Sequence, residues 1–175
     1  MRASLPILLG AVLTAWTACA GGRVAAAPPP GAVAQDLPEL VQAASLIVVG
    51  RVVEIRPGRR AGSGEGRLQF NDVHISVERR LKGDHLGIVI VEQVAPAGPM
   101  VSSEVGPPYT PGERDVLFLR QGEGSRHVVL PQGRYRLEGG IVHPIGPGSV
   151  ADSVRGVDES RFIRGIEAVA RGKAQ

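Results

Sequence analysis

The four histidines are the first residues of this sequence whose chemistry is worth testing: His74, His85, His127 and His143. None of them belongs to an HExxH or HxH spacing. The chain has one cysteine, Cys19, so no Cys–His set can complete a structural zinc site. We therefore predict no metal site and no other cofactor.

His74 has the most suggestive neighbours, because Asp72, two residues before it, and Glu78, four residues after it, lie at even spacing from it. Even spacing places all three side chains on one face of a strand, where such a set can bind a metal or move protons. Three polar residues on the solvent-exposed face of a strand are also common in proteins where they have no function. We keep His74 as a candidate ligand contact. The alternative function is a small exported hydrolase or metal-dependent enzyme that uses His74 with Asp72 or His127.

Nucleophilic catalysis has little support in the sequence. No GxSxG elbow is present, and Ser102, Ser103 and Ser160 have no recognisable base nearby in sequence, although a triad can be assembled from distant positions. The segment 56–67, RPGRRAGSGEGR, is glycine-rich but lacks the GK[ST] of a phosphate-binding loop, so we interpret it as a solvated loop. We predict no catalytic residue and a protein that is not an enzyme.

The N-terminal region around Cys19 has features of an export signal. Met1 and Arg2 give a minimal positive start, and residues 5–15 form an apolar run of signal-peptide length. Residues 16–19 resemble a bacterial lipobox, with Trp16 where leucine is usual. Residues 18–20 also fit a signal-peptidase site. A lone thiol in an exported protein is a liability unless it is modified, which favours lipid attachment at Cys19.

The division of the chain follows from that reading. Residues 1–19 are the signal and lipobox region, and residues 20–35 are a Pro/Ala/Gly-rich spacer with little to bury. Residues 36–172 form one folded domain. We predict an exported protein held at the cell-envelope membrane by lipid. The alternative is a secreted soluble protein whose Cys19 leaves with the signal.

The composition limits which residues can build the hydrophobic core and which classes of partner are expected. Hydrophobic residues make up 43% of the chain and aromatic residues 3%, so the core must be built from Val, Ile and Leu. With 24 Gly and 14 Pro, short strands and many turns are expected. The net charge of +3 does not indicate a nucleic-acid partner, because the arginines are interspersed with nearly as many acids. An envelope protein or polymer is the expected partner.

The fold is organised around a β-hairpin at residues 73–91, where Val73, Ile75 and Val77 alternate with polar residues. Asp36 is expected to cap a short helix before a strand at 46–55, which Gly50 interrupts with a bulge. Further strands are expected at 116–119 and 128–130, then a last pair at 133–137 and 141–145. Asp158 is expected to begin a closing helix.

The segment from residue 95 to residue 113 is too rich in Pro and Gly for a helix. A loop of this length in a small domain is usually functional or disordered. Tyr109 is a candidate ligand contact there, and residues 110–113 (TPGE) fit a type II turn. A binding edge and a mobile cover are equally good interpretations of this loop.

The segments AASLIVVGRVVEI, FNDVHISVERRLKG and TPGERDVLFLR together resemble exported bacterial OB barrels of the netrin-module and tissue-inhibitor-of-metalloproteinase type. The resemblance implies a mainly β (α+β) fold: a small closed antiparallel OB-like barrel with an N-terminal and a C-terminal flanking helix. It also implies binding rather than catalysis. It does not imply metalloproteinase inhibition, because in those inhibitors a disulfide-held N-terminal cysteine offers its amine to zinc, and Cys19 has no partner cysteine.

Overall fold

The computed structural model describes residues 34–63, 67–85, 87–95 and 107–172. The described chain begins with one short helix, continues with six strands and ends with two further helices. In chain order the elements are α1 (Leu37–Ala43), β1 (Leu46–Ala61), β2 (Leu68–Lys82), β3 (Ile88–Val94), β4 (Arg114–Gln121), β5 (Arg126–Glu138), β6 (Ile141–Pro144), α2 (Ser149–Val154) and α3 (Glu159–Ala170). None of the described helices is long and apolar enough to cross a membrane.

The strands form one sheet in the order β3-β2-β1-β4-β5-β6, and β3 also pairs with β5. That last pairing closes five strands into a barrel and leaves β6 as an extra strand. The predicted fold class is confirmed, and the closed five-stranded barrel is consistent with an OB-like fold. The barrel is mixed rather than wholly antiparallel, because the β3–β5 pair is parallel.

The predicted hairpin is formed by β2 and β3. Val73 lies opposite Val91 and Ile75 opposite Val89, and all four side chains are buried. Gly83, which has a φ of 80°, makes the turn after β2, in a backbone conformation that glycine adopts without steric cost. The alternation in the sequence therefore identified the buried face correctly.

Gly50 marks a register shift between β1 and β2, as the sequence predicted. It pairs with Val77 on one side and with Asp115 on the other. A Cβ at this position would collide with the Ile75 side chain and lie 3.0 Å from the Ser76 carbonyl oxygen. Glycine thus allows β1 to lie close to β2 where the strand coils.

Two acidic caps begin the predicted helices. Asp36 accepts a hydrogen bond from the Glu39 amide at 2.8 Å, and Asp158 accepts one from the Arg161 amide at 3.0 Å. The Glu39 carboxylate reaches back to the amide of Gln35, one residue before the expected partner. Both predicted N-caps are confirmed.

The sequence-based boundary of the first strand is wrong. β1 continues to Ala61, through residues 56–61 that were assigned to a solvated loop. These residues pair with β2, where Pro57 lies opposite Asn71. The Arg59 guanidinium also donates two hydrogen bonds to Glu92, at 2.5 and 3.0 Å, and lies 4.4 Å from the centre of the Phe70 ring. Long-range contacts therefore extend a segment that has little strand propensity of its own.

The C-terminal part differs in two respects. The strands predicted at 128–130 and 133–137 are one strand, β5, which passes through Gln132 with a φ of 57°. The short helix α2 was not predicted, because Gly148 at its N-cap provides no side-chain hydrogen bond. The closing helix was predicted correctly as α3.

Two hydrophobic clusters share the strands. The barrel-interior cluster contains buried residues that come mostly from the strands, together with Tyr109: Leu46, Val48, Val52, Val73, Ile75, Val89, Val91, Tyr109, Leu117 and Leu119. The helix-side cluster lies between the barrel and the helices and includes Phe118, Tyr135, Phe162 and Ile166. Ala34 also packs in the helix-side cluster.

Candidate functional site

The C-terminal end of the predicted binding loop is attached to the barrel by a tight turn. The Glu113 amide donates to the Thr110 carbonyl at 3.1 Å, and Gly112 has a φ of 91°, as the predicted type II turn requires. The Gly112 amide donates to the Val52 carbonyl, and the Val52 amide donates to the Glu113 carbonyl, both at 2.8 Å. The turn is thus fixed to β1. Residues 96–106 of the loop lie outside the described residues.

A buried arginine on β5 contacts the same C-terminal end of the loop. Arg134 on β5 is 6% exposed and donates to Asp115 at 2.7 Å, to Glu113 at 2.8 Å and to the Pro107 carbonyl at 2.8 Å. Its guanidinium carbon lies 3.5 Å from the centre of the Tyr109 ring, which is a close cation–π contact. One cation therefore connects β4, β5 and the residues that end the loop.

Asp115 is the most deeply buried charged group in this network, at 1% exposed. Burial is the main cause that raises the pKa of its carboxyl above the ordinary value, although Arg134 acts in the opposite direction. Its Oδ1 atom has no hydrogen-bond partner among the described residues and lies 3.8 Å from the Arg136 Nε atom, which also lacks one. The distance between these two atoms is longer than that of a hydrogen bond.

Tyr109 lies inside the barrel rather than on its surface. The side chain is 6% exposed and belongs to the barrel-interior cluster, and its hydroxyl has no partner among the described residues. Burial raises the pKa of the Tyr109 hydroxyl. The neighbours Thr110, Pro111 and Gly112 are exposed and carry the accessible surface of this segment. Ligand contact by Tyr109 stays a prediction.

An open groove of about 620 Å³ lies beside the turn. Eight residues from β1, β4, β5 and the turn line it: Arg51, Pro111, Gly112, Glu113, Arg114, Arg136, Leu137 and Glu138. Sequence reasoning missed this groove, because its three arginines come from three strands that are far apart in the chain. The only local signal was the type II turn.

Each of the three groove arginines is held in place by carboxylate or carbonyl oxygens. Arg51 donates to Glu78 at 3.1 Å and to the Gly112 carbonyl at 3.0 Å. Arg114 donates to Glu78 and to Glu159, and Arg136 forms an ion pair with Glu113 at 2.7 Å.

The contacts above use Nε and Nη1 of Arg51, Nε and Nη1 of Arg114, and Nη2 of Arg136. They do not use Nη2 of Arg51, Nη2 of Arg114 or Nη1 of Arg136. Positioned guanidinium donors are suited to carboxylate and phosphate groups.

His74 does not share this groove. It lies on β2 opposite Glu54 of β1 and Ile90 of β3. Of its predicted companions, Asp72 accepts two hydrogen bonds from Arg126, at 2.8 and 2.9 Å. Glu78 binds Arg51 and Arg114 instead. Both carboxylates of the predicted His74 set are therefore held by arginines, and a role for His74 stays a prediction.

Within the described ranges, no group of three or more His, Cys, Asp or Glu side chains is placed to hold a metal ion. Cys19, the predicted lipid attachment site, lies outside the described residues, as does the signal region. A comparison of the chain with protein-family models finds no match, and a comparison with curated proteins finds no significant one.

Proposed function

We propose that this protein is an exported, lipid-anchored binding module that recognises an anionic group of a cell-envelope protein or polymer through the groove at Arg51, Arg114 and Arg136. The observation that carries the proposal is the set of three guanidinium groups, each held by acidic or carbonyl partners through contacts that leave one terminal nitrogen of the group unused. Binding needs such preorganised donors, because ordering flexible side chains costs free energy.

The N-terminal sequence supports the envelope location in this proposal. Cys19 is the only cysteine, and it follows an apolar run of signal-peptide length and precedes a Pro/Ala/Gly-rich segment. A spacer of this composition would let a folded domain reach away from an anchored end. The closed barrel with flanking helices also supports a relationship to the netrin-module type, which we include in the proposal as its structural class.

The anchor is tested by labelling cells with a radioactive fatty acid. The proposal expects label in the parent protein, none in Cys19→Ser, and a shift of the variant from the membrane fraction to the soluble fraction. Label that persists in Cys19→Ser, or never appears in the parent, would show that the anchor is wrong. The groove could still bind a partner in that case.

The groove is tested separately, in the Cys19→Ser background, by measuring retention of the protein on isolated cell-envelope fragments. Arg51→Gln and Arg114→Gln should each weaken retention about tenfold if each arginine provides a charge-assisted contact to the partner. Arg155→Gln is the matched control, because the Arg155 side chain is 56% exposed and its ion pair within the described part of the chain is with Asp152 on α2. Equal retention of all three variants would contradict the groove assignment.

A further inference from the structure

The helix α3 uses both of its glutamates to bind the sheet, on the side of the helix where Ile166 is buried. Glu159 accepts a hydrogen bond from Arg114 of β4 at 2.7 Å, and Glu167 accepts one from Arg79 of β2 at 2.5 Å. The two glutamate side chains are only 21% and 16% exposed. The acidic charges of this helix are therefore neutralised by cations of the barrel.

On the opposite side of α3 and its C-cap, the charged side chains are all arginines. Arg161, Arg164 and Arg171 are exposed, and their spacing of three and seven residues places them within about 80° of one another around the helix axis. Arg161 and Arg164 form no ion pair within the described part of the chain. Arg171 lies 3.9 Å from Glu167, which is longer than a hydrogen bond. We call these three residues the arginine face.

The fold creates this separation of charge, because acids and arginines alternate along the sequence of residues 158–171. Asp158, at the start of the helix, also attracts Arg164. Its carboxylate is occupied as the helix cap, since it accepts hydrogen bonds from the Ser160 hydroxyl at 2.6 Å and from the Arg161 amide at 3.0 Å. One acid thus stands against three arginines on the outer side of α3.

We propose that the arginine face lies against anionic phospholipid headgroups, so that α3 orients the barrel on the membrane to which the chain is anchored. The inference adds a second interaction surface to the proposed function and rests on the envelope location in it. An arginine close to an anionic membrane surface is attracted by the surface potential. The ten residues from Arg161 to Arg171 extend over about 15 Å, which places the charges in a row along the helix.

The shape of the arginine face favours a lipid surface over a protein or a small ligand. The residues between the arginines on this side, Ser160 and Ala168, are small, and no large exposed hydrophobic residue lies on α3. A protein partner usually needs a buried aromatic or aliphatic anchor, and a small ligand needs a concave site. A flat layer of phosphate groups needs neither, because it is bound by charge alone.

The test measures how the Cys19→Ser chain, used as the parent, partitions onto vesicles of phosphatidylcholine and onto vesicles of equimolar phosphatidylcholine and phosphatidylglycerol. The apolar N-terminal run contributes to both, so the readout is the ratio of the two partition coefficients. The parent should prefer the anionic vesicles, and high salt should remove the preference because it screens exposed charges. Arg161→Gln combined with Arg164→Gln should lower the ratio about 30-fold, from roughly fivefold per arginine.

Two further double variants separate the arginine face from net charge. Arg161→Lys with Arg164→Lys keeps both charges and should keep the preference. Arg56→Gln with Arg60→Gln is the matched control, because it removes the same net charge from exposed residues of β1 and should leave the ratio nearly unchanged. Circular dichroism checks that every variant is folded.

The proposal is overturned if the parent partitions equally onto both kinds of vesicle, which would leave a second protein as the occupant of the arginine face. It is also overturned if the Gln variant of α3 keeps the preference, or if the β1 control loses as much. The vesicles contain no envelope protein or polymer, so these results do not affect the groove. Failure of the groove or anchor experiments would in turn leave the preference for anionic vesicles in place.

Discussion

At the scale of single residues, Arg134 shows why a buried charge in this protein must be judged by its whole set of contacts. Removing an ion from water costs several kcal/mol, and a buried pair recovers that cost only when its remaining hydrogen bonds are satisfied. Arg134 meets this condition with two carboxylates, one carbonyl and the face of Tyr109. Its partners depend on it in turn, since Asp115 is fully enclosed.

We therefore expect Arg134→Met to lower the free energy of unfolding by about 3–5 kcal/mol, because it leaves the buried Asp115 carboxylate without its main cation. Urea denaturation measures the change. Adding Asp115→Asn should recover part of the loss, since the buried charge is then absent. The matched control Arg155→Met removes an exposed arginine and should change stability by less than about 0.5 kcal/mol. If Arg134→Met lowers the free energy of unfolding no more than Arg155→Met does, this account is contradicted.

Asp72 gives a prediction about pH. The hydrogen bonds from Arg126 are the main cause that holds the pKa of Asp72 below its ordinary value. A carboxyl whose pKa is lower in the folded protein stabilises the fold above the unfolded-state pKa of about 3.9, and this contribution disappears as pH falls through the folded-state pKa. Asp72→Asn should thus cost about 1 kcal/mol at pH 7, and the difference from the parent should shrink below about pH 4.

Thermal melts of the parent and Asp72→Asn between pH 3 and pH 7 measure that difference. Asp152→Asn serves as the control, because the Asp152 side chain is 74% exposed and its contact with Arg155 is long, at 3.6 Å. A gap between parent and Asp72→Asn that stays constant down to pH 3 would mean that the Asp72–Arg126 pair does not contribute through the charge of the carboxylate.

At the scale of elements, two glycine substitutions should have opposite effects on stability. One tests close packing between strands, and the other tests the low helix propensity of glycine. Gly50→Ala should lower stability by about 1–3 kcal/mol, because the added methyl group meets Ile75 and the Ser76 carbonyl. Gly165→Ala should raise stability by about 0.5–1 kcal/mol: Gly165 is inside α3, and a Cβ there would only touch Leu37 at 4.0 Å. The two midpoints in urea should move in opposite directions, and movement in the same direction would contradict the argument.

Elements with local signals could be predicted from the sequence, and elements held by distant partners could not. Asp36 and Asp158 form caps with residues three positions away, and the alternation around Ile75 lies within one strand. In contrast, residues 56–61 belong to β1 because of β2 and Glu92. The candidate groove was missed for the same reason, since its arginines meet only after the strands have paired.

At the scale of the whole molecule, the two hydrophobic clusters are coupled because they use opposite faces of the same strands. On β1, Ile47 and Val49 enter the helix-side cluster and Val48 enters the barrel-interior cluster. On β4, Phe118 lies on the helix side and Leu117 inside the barrel. Unpairing either strand would expose both clusters at once. Unfolding should therefore be one cooperative transition rather than two.

The two tyrosines of the chain report this coupling, because Tyr109 lies in the barrel-interior cluster and Tyr135 in the helix-side cluster. With tyrosine-selective ¹³C labels, assigned through Tyr109→Phe and Tyr135→Phe, both NMR signals should disappear at one urea concentration. Phe162→Ala removes a ring whose centre is 5.0 Å from that of Tyr135 and should cost about 3–5 kcal/mol. If the clusters are coupled, it lowers the midpoint of the distant Tyr109 signal equally; an unchanged Tyr109 midpoint would mean that the barrel interior is stable without the helices.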